Sequence, residues 1–567
     1  MNQTEGTSQG TAAGRERPLR SWLTRLLWGA SSEPSSYIRS RWLFMRLLGV
    51  VYLIAFVSWW VQLDGLSGSR GITPTATTLE FLQNQLGLEI LADYATQVPT
   101  LLWFDSSDRT LHGLCAAGVI LSLLVVVRVC VGPALVLLWA AYLSLCAADA
   151  VFLGFQWENL LLEAGFLAIL WAPWRPWPRL KTDSEPGWAG RWLLYWLLFR
   201  LMLSSGVVKL LSGDAVWLDF TALQYHYWTQ CIPTPLAWTF HQFPLWFQKF
   251  SCAAMFAVEV GAPFLIFFPR RPRMFGGLLI VLLMAAIAVT GNYNYFNLLA
   301  VVLCIPLFDD RALRRLWPWR SCPESDAGTS SAAPETELDH AGHRRPVRIA
   351  WRWTAFGLKA AFVLTIATAG GVQMWQRWDR LIPPGGTFLG VEFRSVPKPL
   401  VDAVERVRSF RSVNSYGLFT NMTERRPELI IEGSDDGRTW HTYAFKYKAG
   451  DINRAPPWVA PHQPRLDWQM WFEALRAERV VGRSGSRGAE PNWWFRQFLS
   501  RLLEGEPAVL ALLESNPFPD EPPRFVRAEL YQYNFTTREE QAETGAWWSR
   551  THIGRYVLMS RNGPGGE

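Results

Sequence analysis

The feature that most constrains this chain is a series of apolar runs, each close to the roughly 20 residues that a helix needs to cross a bilayer. Nine such runs are read near 47–63, 111–127, 134–153, 158–173, 192–212, 250–268, 274–290, 293–308 and 353–375. The fourth and eighth are short and Asp149 interrupts the third, so these three suit tilted or re-entrant elements as well as full crossings. From Asp379 to Glu567 there is no comparable run and the charge content is ordinary. A soluble chain would be about a quarter charged, whereas this one is 18% charged and 50% hydrophobic over 567 residues. The fold class expected is a polytopic α-helical membrane bundle followed by a C-terminal β-rich, β-sandwich-like soluble domain with a few helices. The expected divisions are a cytosolic tail with an amphipathic segment (1–40), a multi-spanning domain (41–308), an Arg-rich disordered cytosolic linker (309–350), a last transmembrane helix (351–376) and an extracytoplasmic domain (377–567).

Basic residues set the orientation, because cytosolic loops retain Lys and Arg. Arg39, Arg41 and Arg46 precede the first run, and Arg128, then Arg175, Arg179 and Lys181, then Arg270, Arg271 and Arg273 fall in alternate loops. The loop from Asp64 to Asp108 is acidic. With nine crossings the N-terminus is cytosolic and the C-terminal domain lies outside. The formal charge of +7 is explained by these loops without a nucleic acid. Of seven cysteines six lie in or beside the membrane body and none after Cys322, so the C-terminal domain has to be held by an apolar core.

Polar groups within the runs need partners, since each charge costs at least about 2.5 kcal/mol at mid-membrane. Glu158, Asn159 and Glu163 lie on the fourth run, Arg200 and Lys209 on the fifth and Glu259 on the sixth. Two readings stand. One is helix-to-helix pairing, for example Glu163 with Arg200 or Lys209; the other is a catalytic or conduction pathway. Gly291–Asn297 (GNYNYFN) reads as a polar turn, and the aromatic stretch from Trp217 through Trp246 reads as an outer loop that packs on the soluble domain or meets a partner.

In the soluble part, 410–421 and 428–432 read as strands, and Glu432–Trp440 (EGSDDGRTW) as a hairpin turned by Asp-Gly, returning over 441–448. That hairpin is similar to one in discoidin-like jelly-roll modules. A helix follows Pro464, another spans 492–513, and 524–536 alternates as a strand. No residue set resembles a nucleophile with its base, and no motif assigns a metal or cofactor.

Several separated blocks carry a family resemblance: Asn414-Ser-Tyr-Gly-Leu-Phe, Ile430-Ile-Glu-Gly-Ser, His462-Gln-Pro-Arg-Leu-Asp-Trp-Gln-Met-Trp-Phe, Trp157-Glu-Asn-Leu-Leu-Leu-Glu-Ala-Gly, Arg200-Leu-Met-Leu-Ser-Ser-Gly-Val-Val-Lys and Leu223-Gln-Tyr-His-Tyr-Trp-Thr-Gln. Together they resemble the lipase maturation factor family from about Arg41 to Tyr556. The resemblance implies a multi-pass membrane protein of the endoplasmic reticulum, or of the inner membrane in a bacterium, whose lumenal domain helps secreted lipases fold, assemble and leave. On that reading the protein is a chaperone rather than an enzyme, with lipase clients and the bilayer as partners. Asn414, Tyr416, Trp440, His462, Arg465, Asp467, Trp468 and Trp471 are its expected partner-binding residues. The alternative is a multi-pass enzyme related to the vitamin K-dependent carboxylase-like membrane fold, acting on a lipid or a secreted protein.

Overall fold

The computed structural model describes residues 27–28, 35–87, 89–178, 180, 183–316, 346–382, 387–388, 391–392, 396–481 and 490–561. The N-terminal amphipathic segment, most of the 309–350 linker and the Pro383–Gly386 break lie outside the described residues.

In chain order the first part contains α1 (Ile38–Trp60), α2 (Asp108–Val127), α3 (Val131–Ala148), α4 (Gln156–Trp171), α5 (Trp188–Leu211), α6 (Leu245–Phe256), α7 (Arg270–Thr290), α8 (Phe296–Cys304) and α9 (Pro346–Asp379). Six of these, α1, α2, α3, α5, α7 and the apolar part of α9, are long and apolar enough to cross a membrane. The other three expected runs form shorter pieces. α4 has 16 residues, α8 has 9 with a 3-10 turn to Leu307, and α6 continues through a π turn at Ala257–Gly261 into Ala262–Leu265. Pro263 explains that widened turn: it has no N–H to donate to the carbonyl of Glu259 four residues back.

The bundle has two chemically distinct ends. At one, Asp183 pairs with Arg41 (2.9 Å) and Arg128 (3.0 Å), and Arg270 pairs with Asp309. These groups stand at the start of α1, the end of α2, the approach to α5, the start of α7 and the end of α8, so the basic loops do share one end. The C-terminal domain sits on the other end, where α1 and α5 finish and α4 begins.

α5 is the central helix, buried along nearly all of its length against α4, α8, α9 and the π turn of α6. Two glycines allow that closeness. A Cβ on Gly206 would lie 2.7 Å from Val260 and 3.1 Å from the Cβ of Glu259, and one on Gly370 of α9 would lie 2.7 Å from Nε of Arg200.

The C-terminal domain is built on β1 (Arg426–Ser434), β2 (His441–Thr442), β3 (Phe525–Phe535) and β4 (Trp548–Ser560), an antiparallel sheet in the order β2-β1-β3-β4. The Glu432–Trp440 hairpin forms as expected, with Glu432 opposite Thr442. Alternation separates the two faces. Leu429, Ile431, Val526, Ala528 and Leu530 pack beneath α10 (Arg465–Val481) and α11 (Trp493–Glu504). Ile430, Tyr533 and Phe535 on the other face meet Tyr227 and Ala237 from the outer loop of the membrane body. The domain is β-containing as expected, and both layers that cover its sheet are helical. The stretch 410–421 is irregular rather than a strand, with Arg411 (φ 49°) and Phe419 (φ 54°) in left-handed conformations. The return after the hairpin pairs only over His441–Thr442, because Tyr447 and Lys448 donate their backbone N–H groups to Asp467 instead. The helix expected over 492–513 ends at Gly505 (φ 69°), a left-handed cap.

Gly206→Val inserts three carbons where one already collides, and overpacking of this kind costs about 1–3 kcal/mol. Thermal unfolding of the detergent-solubilised chain is expected to show that loss; an unchanged midpoint would contradict the α5–α6 packing.

Candidate functional site

The residues singled out in the sequence converge at the seam between membrane body and C-terminal domain. α4 supplies the central charges. Glu158 and Glu163 are five residues apart and both are fully buried, facing different partners. Glu158 receives the Arg465 guanidinium at 2.8 Å, with both side chains 0% exposed. Its second oxygen accepts from the hydroxyls of Tyr142 on α3 and Tyr295 before α8. Glu163 pairs with Arg200 of α5, which is the pairing expected from sequence. Its other oxygen accepts from the backbone N–H of Asn414 (2.8 Å), the Asn414 amide (3.1 Å) and the Tyr416 hydroxyl (2.7 Å). Arg200 closes the ring by donating to the Asn414 carbonyl at 2.7 Å, and the Asn159 carbonyl accepts from the Asn414 amide at 3.2 Å. Lys209 pairs with Glu259 across the Gly206 contact, at 2.7 Å.

Around these charges lies a network of neutral hydrogen bonds. The Gln463 carbonyl accepts from Gln62 (2.8 Å), its N–H donates to Ser58 (3.0 Å), and its side-chain oxygen accepts from Trp157 and Asn294 (both 2.9 Å). The side-chain oxygen of Asn292, in the polar turn between α7 and α8, accepts from the N–H groups of Val459 (2.8 Å) and Ala460 (3.0 Å). Arg426 of β1 donates to the carbonyls of Trp228 (2.7 Å) and Cys231 (3.0 Å) in the outer loop. Trp238 and Gln242 of that loop donate to the Thr536 carbonyl at 3.0 and 3.1 Å, so the aromatic loop does pack on the soluble domain.

Of the expected partner-binding residues, Asn414, Tyr416, Arg465, Asp467 and Trp468 are buried in this seam. Trp468 stands edge-on to Trp157 at 5.0 Å. His462 reaches Ser58 at 3.0 Å, and burial beside Arg465 pushes its imidazole down to about 4. Trp471 donates to the Thr229 carbonyl at 3.0 Å. Only Trp440 stands away from the seam, half-exposed on the sheet with Arg527 over its ring at 4.0 Å. Sequence reading missed Gln62, Tyr142, Asn292 and Gln463. Gln62 stands at the edge of the first apolar run and Asn292 in the polar turn, and those positions were the available signals; Tyr142 lies within the third run and Gln463 outside any run, so neither carries one. Among the described residues no three His, Cys, Asp or Glu side chains come together as a metal-ligand group.

A cavity of about 440 Å³ opens in the seam, with Lys209 and Glu259 in its wall. A second, of about 490 Å³, shares those two residues and Phe419.

Two family profiles match the chain. The lipase maturation factor transmembrane domain covers residues 39–315, and the lipase maturation factor C-terminal domain covers residues 412–558. Among curated relatives, "Lipase maturation factor 2" of Gallus gallus is 37% identical over 91% of this chain and 80% of its own length. The Homo sapiens protein of the same name is 36% identical over 90% and 81%. "Lipase maturation factor 1" of Bos taurus is 31% identical over 96% and 90%. No solved structure matches.

Asp467 gives the seam a pH dependence. Burial pushes its carboxyl up to about 6, against the opposing pull of the Lys448 and Tyr447 N–H groups and the Lys448 charge. A raised carboxylate favours the neutral form in the folded chain, so its contribution is full below the ordinary value of 3.8 and lost as pH rises through about 6. Above that pH the ionised group costs about 3 kcal/mol. Asp467→Asn keeps an acceptor for both N–H groups. It is expected to raise the unfolding midpoint at pH 7 and to lose that advantage by pH 4; the same shift at both pH values would contradict the assignment.

Proposed function

This chain belongs to the lipase maturation factor family, and on that premise we propose that it is a membrane-bound factor assisting the folding, assembly and export of secreted lipases through its C-terminal domain. The domain is placed on the lumenal or periplasmic side. Support comes from the two ends of the bundle: the basic loops gather opposite the C-terminal domain, and cytosolic loops are the basic ones. The membrane is that of the endoplasmic reticulum, or the inner membrane in a bacterium.

The observation that carries the client reading is the edge of the sheet. β4 runs 13 residues and pairs only with β3 among the described residues. From Ser549 to Ile553 every side chain is exposed, with Ile553 and Leu558 offering apolar surface. A long edge is a template for adding a strand from another chain; register shifts at Ile553 and Tyr556 interrupt this one and leave Trp548–His552 and Val557–Ser560 as its regular stretches. An unfolded lipase segment has the unpaired backbone to dock there, with exposed Trp458 and Trp493 on the same domain for apolar contact. Holding a client this way needs no covalent step. Glu158 and Glu163 support that reading, because both oxygens of each are held by partners within the chain.

Ile553→Lys with Leu558→Lys places charge on the edge at exposed positions, where substitutions change stability by about 0.5 kcal/mol or less. In cells lacking the endogenous factor, the double variant is expected to accumulate as the parent does while secreted lipase activity falls to the null level. Full rescue of lipase secretion would overturn the edge as the client surface.

A further inference from the structure

The two seam cavities form a site that the folding role does not use. Their walls come from both halves of the chain. Leu201, Met202, Met284 and Phe296 of the membrane body face Trp468 and Trp471 of α10 across the larger apolar lining. Ala150, Gly154, Asn421 and Phe472 line the same space and are themselves exposed, so the cavity opens at the level where the membrane helices meet the C-terminal domain. Phe419 lines both chambers and is held in a left-handed backbone conformation, φ 54°, which is rare for a bulky residue. Non-glycine residues stay in such conformations only where the surroundings enforce them, commonly at ligand sites.

The polar groups in these walls are few and incompletely used. The Lys209 ammonium has three donors and makes two hydrogen bonds, to the Ser205 carbonyl (3.0 Å) and Glu259 (2.7 Å), with the Trp217 ring 5.4 Å away as its further contact. His226, in the second chamber, contacts the Tyr293 hydroxyl through Nε2 at 3.2 Å. That hydroxyl donates its own proton to Gln230 at 2.8 Å, so Nε2 of His226 carries the hydrogen and Nδ1 is a bare acceptor. Nδ1 is shut off from solvent and has no partner. Lys209 and Glu259 cancel each other's charge, and burial keeps the His226 ring neutral well below physiological pH.

A ligand for this site therefore has a long apolar body and a neutral head with one acceptor for Lys209, since the closed-off Nδ1 of His226 leaves no room for a ligand atom. Both chambers lie in the volume range of ordinary small-molecule sites, about 300–1,000 Å³. The mouth beside the membrane helices points to a ligand that partitions into the bilayer. We propose that the seam cavity binds a single-chain neutral lipid of the monoacylglycerol class, its acyl chain along the aromatic and Met-lined chamber and its ester carbonyl at Lys209. This goes beyond the folding role and does not depend on it.

The test uses the full chain in detergent micelles with a monoacylglycerol carrying a photoactivatable group on its acyl chain. Irradiation and peptide mapping are expected to place adducts within 150–157, 417–423 and 468–472, and excess monoolein should abolish them. Met284→Trp fills the chamber and is expected to remove the adducts while unfolding at the parent's temperature; the monoolein competition gives the same answer if that variant fails to fold. A fatty-acid probe with a free carboxylate should label these peptides more weakly. Labelling confined to lipid-facing positions such as Ile120 and Leu123 of α2, indifferent to monoolein, would overturn the site. Stronger labelling by the free acid would overturn the neutral head.

Discussion

A carboxylate inside an apolar bundle has to meet a donor, and Glu158 of α4 meets one that lies 307 residues further along the chain. Neither Glu158 nor Arg465 has solvent to fall back on, and breaking a buried pair by removing one member costs about 3–5 kcal/mol. The membrane body is therefore completed by the C-terminal domain. Glu163, five residues further on, repeats the arrangement with other partners. Its partner Arg200 comes from within the bundle, but the pair closes on the Asn414 backbone and the Tyr416 hydroxyl. The irregular 410–421 segment follows from this. Its backbone groups are committed to α4, α5 and α9, through contacts such as Gln373 to the Val413 carbonyl at 2.9 Å, and are not available to a sheet.

The same constraint explains the short helices. α4 spans only 16 residues because its N-terminal end stops at the seam, where Trp157 and Glu158 contact the C-terminal domain rather than lipid. α8 is short for a related reason: the polar turn before it carries Asn292 and Asn294, which bond to 457–463. Rigid coupling of this kind gives the sheet a fixed orientation relative to the membrane body. It also leaves the seam cavity between two elements that cannot slide past each other independently.

Much of the architecture was legible from sequence because it depends on local patterns. Apolar run length located the membrane helices, the Asp-Gly turn located the β1–β2 hairpin, and charge complementarity between adjacent runs narrowed the partner of Glu163 to Arg200 or Lys209, of which Arg200 is the one found. The alternating basic loops also turned out to share one end of the bundle. What was not legible depends on distant pairs. Nothing near Arg465 in sequence indicates that its partner is on α4, and the aromatic block around Trp468 looks the same whether it faces a client or Trp157. β4 escaped notice because Thr551, His552, Gly554 and Arg555 break the apolar alternation, as expected for an edge strand that is exposed over Ser549–Ile553. The cavity had no sequence signature at all, since its walls come from many separated stretches between Ala150 and Phe472.

The central claim is that a buried ion pair across the seam makes the two halves of the chain one structure. A double-mutant cycle on Glu158→Gln and Arg465→Gln, read by unfolding of the purified full-length chain, tests it most directly. Each single variant is predicted to lose about 3–5 kcal/mol, and the double variant to lose less than their sum by more than about 0.5 kcal/mol. Losses that add within that margin would show that the two residues are not coupled, and would contradict the account.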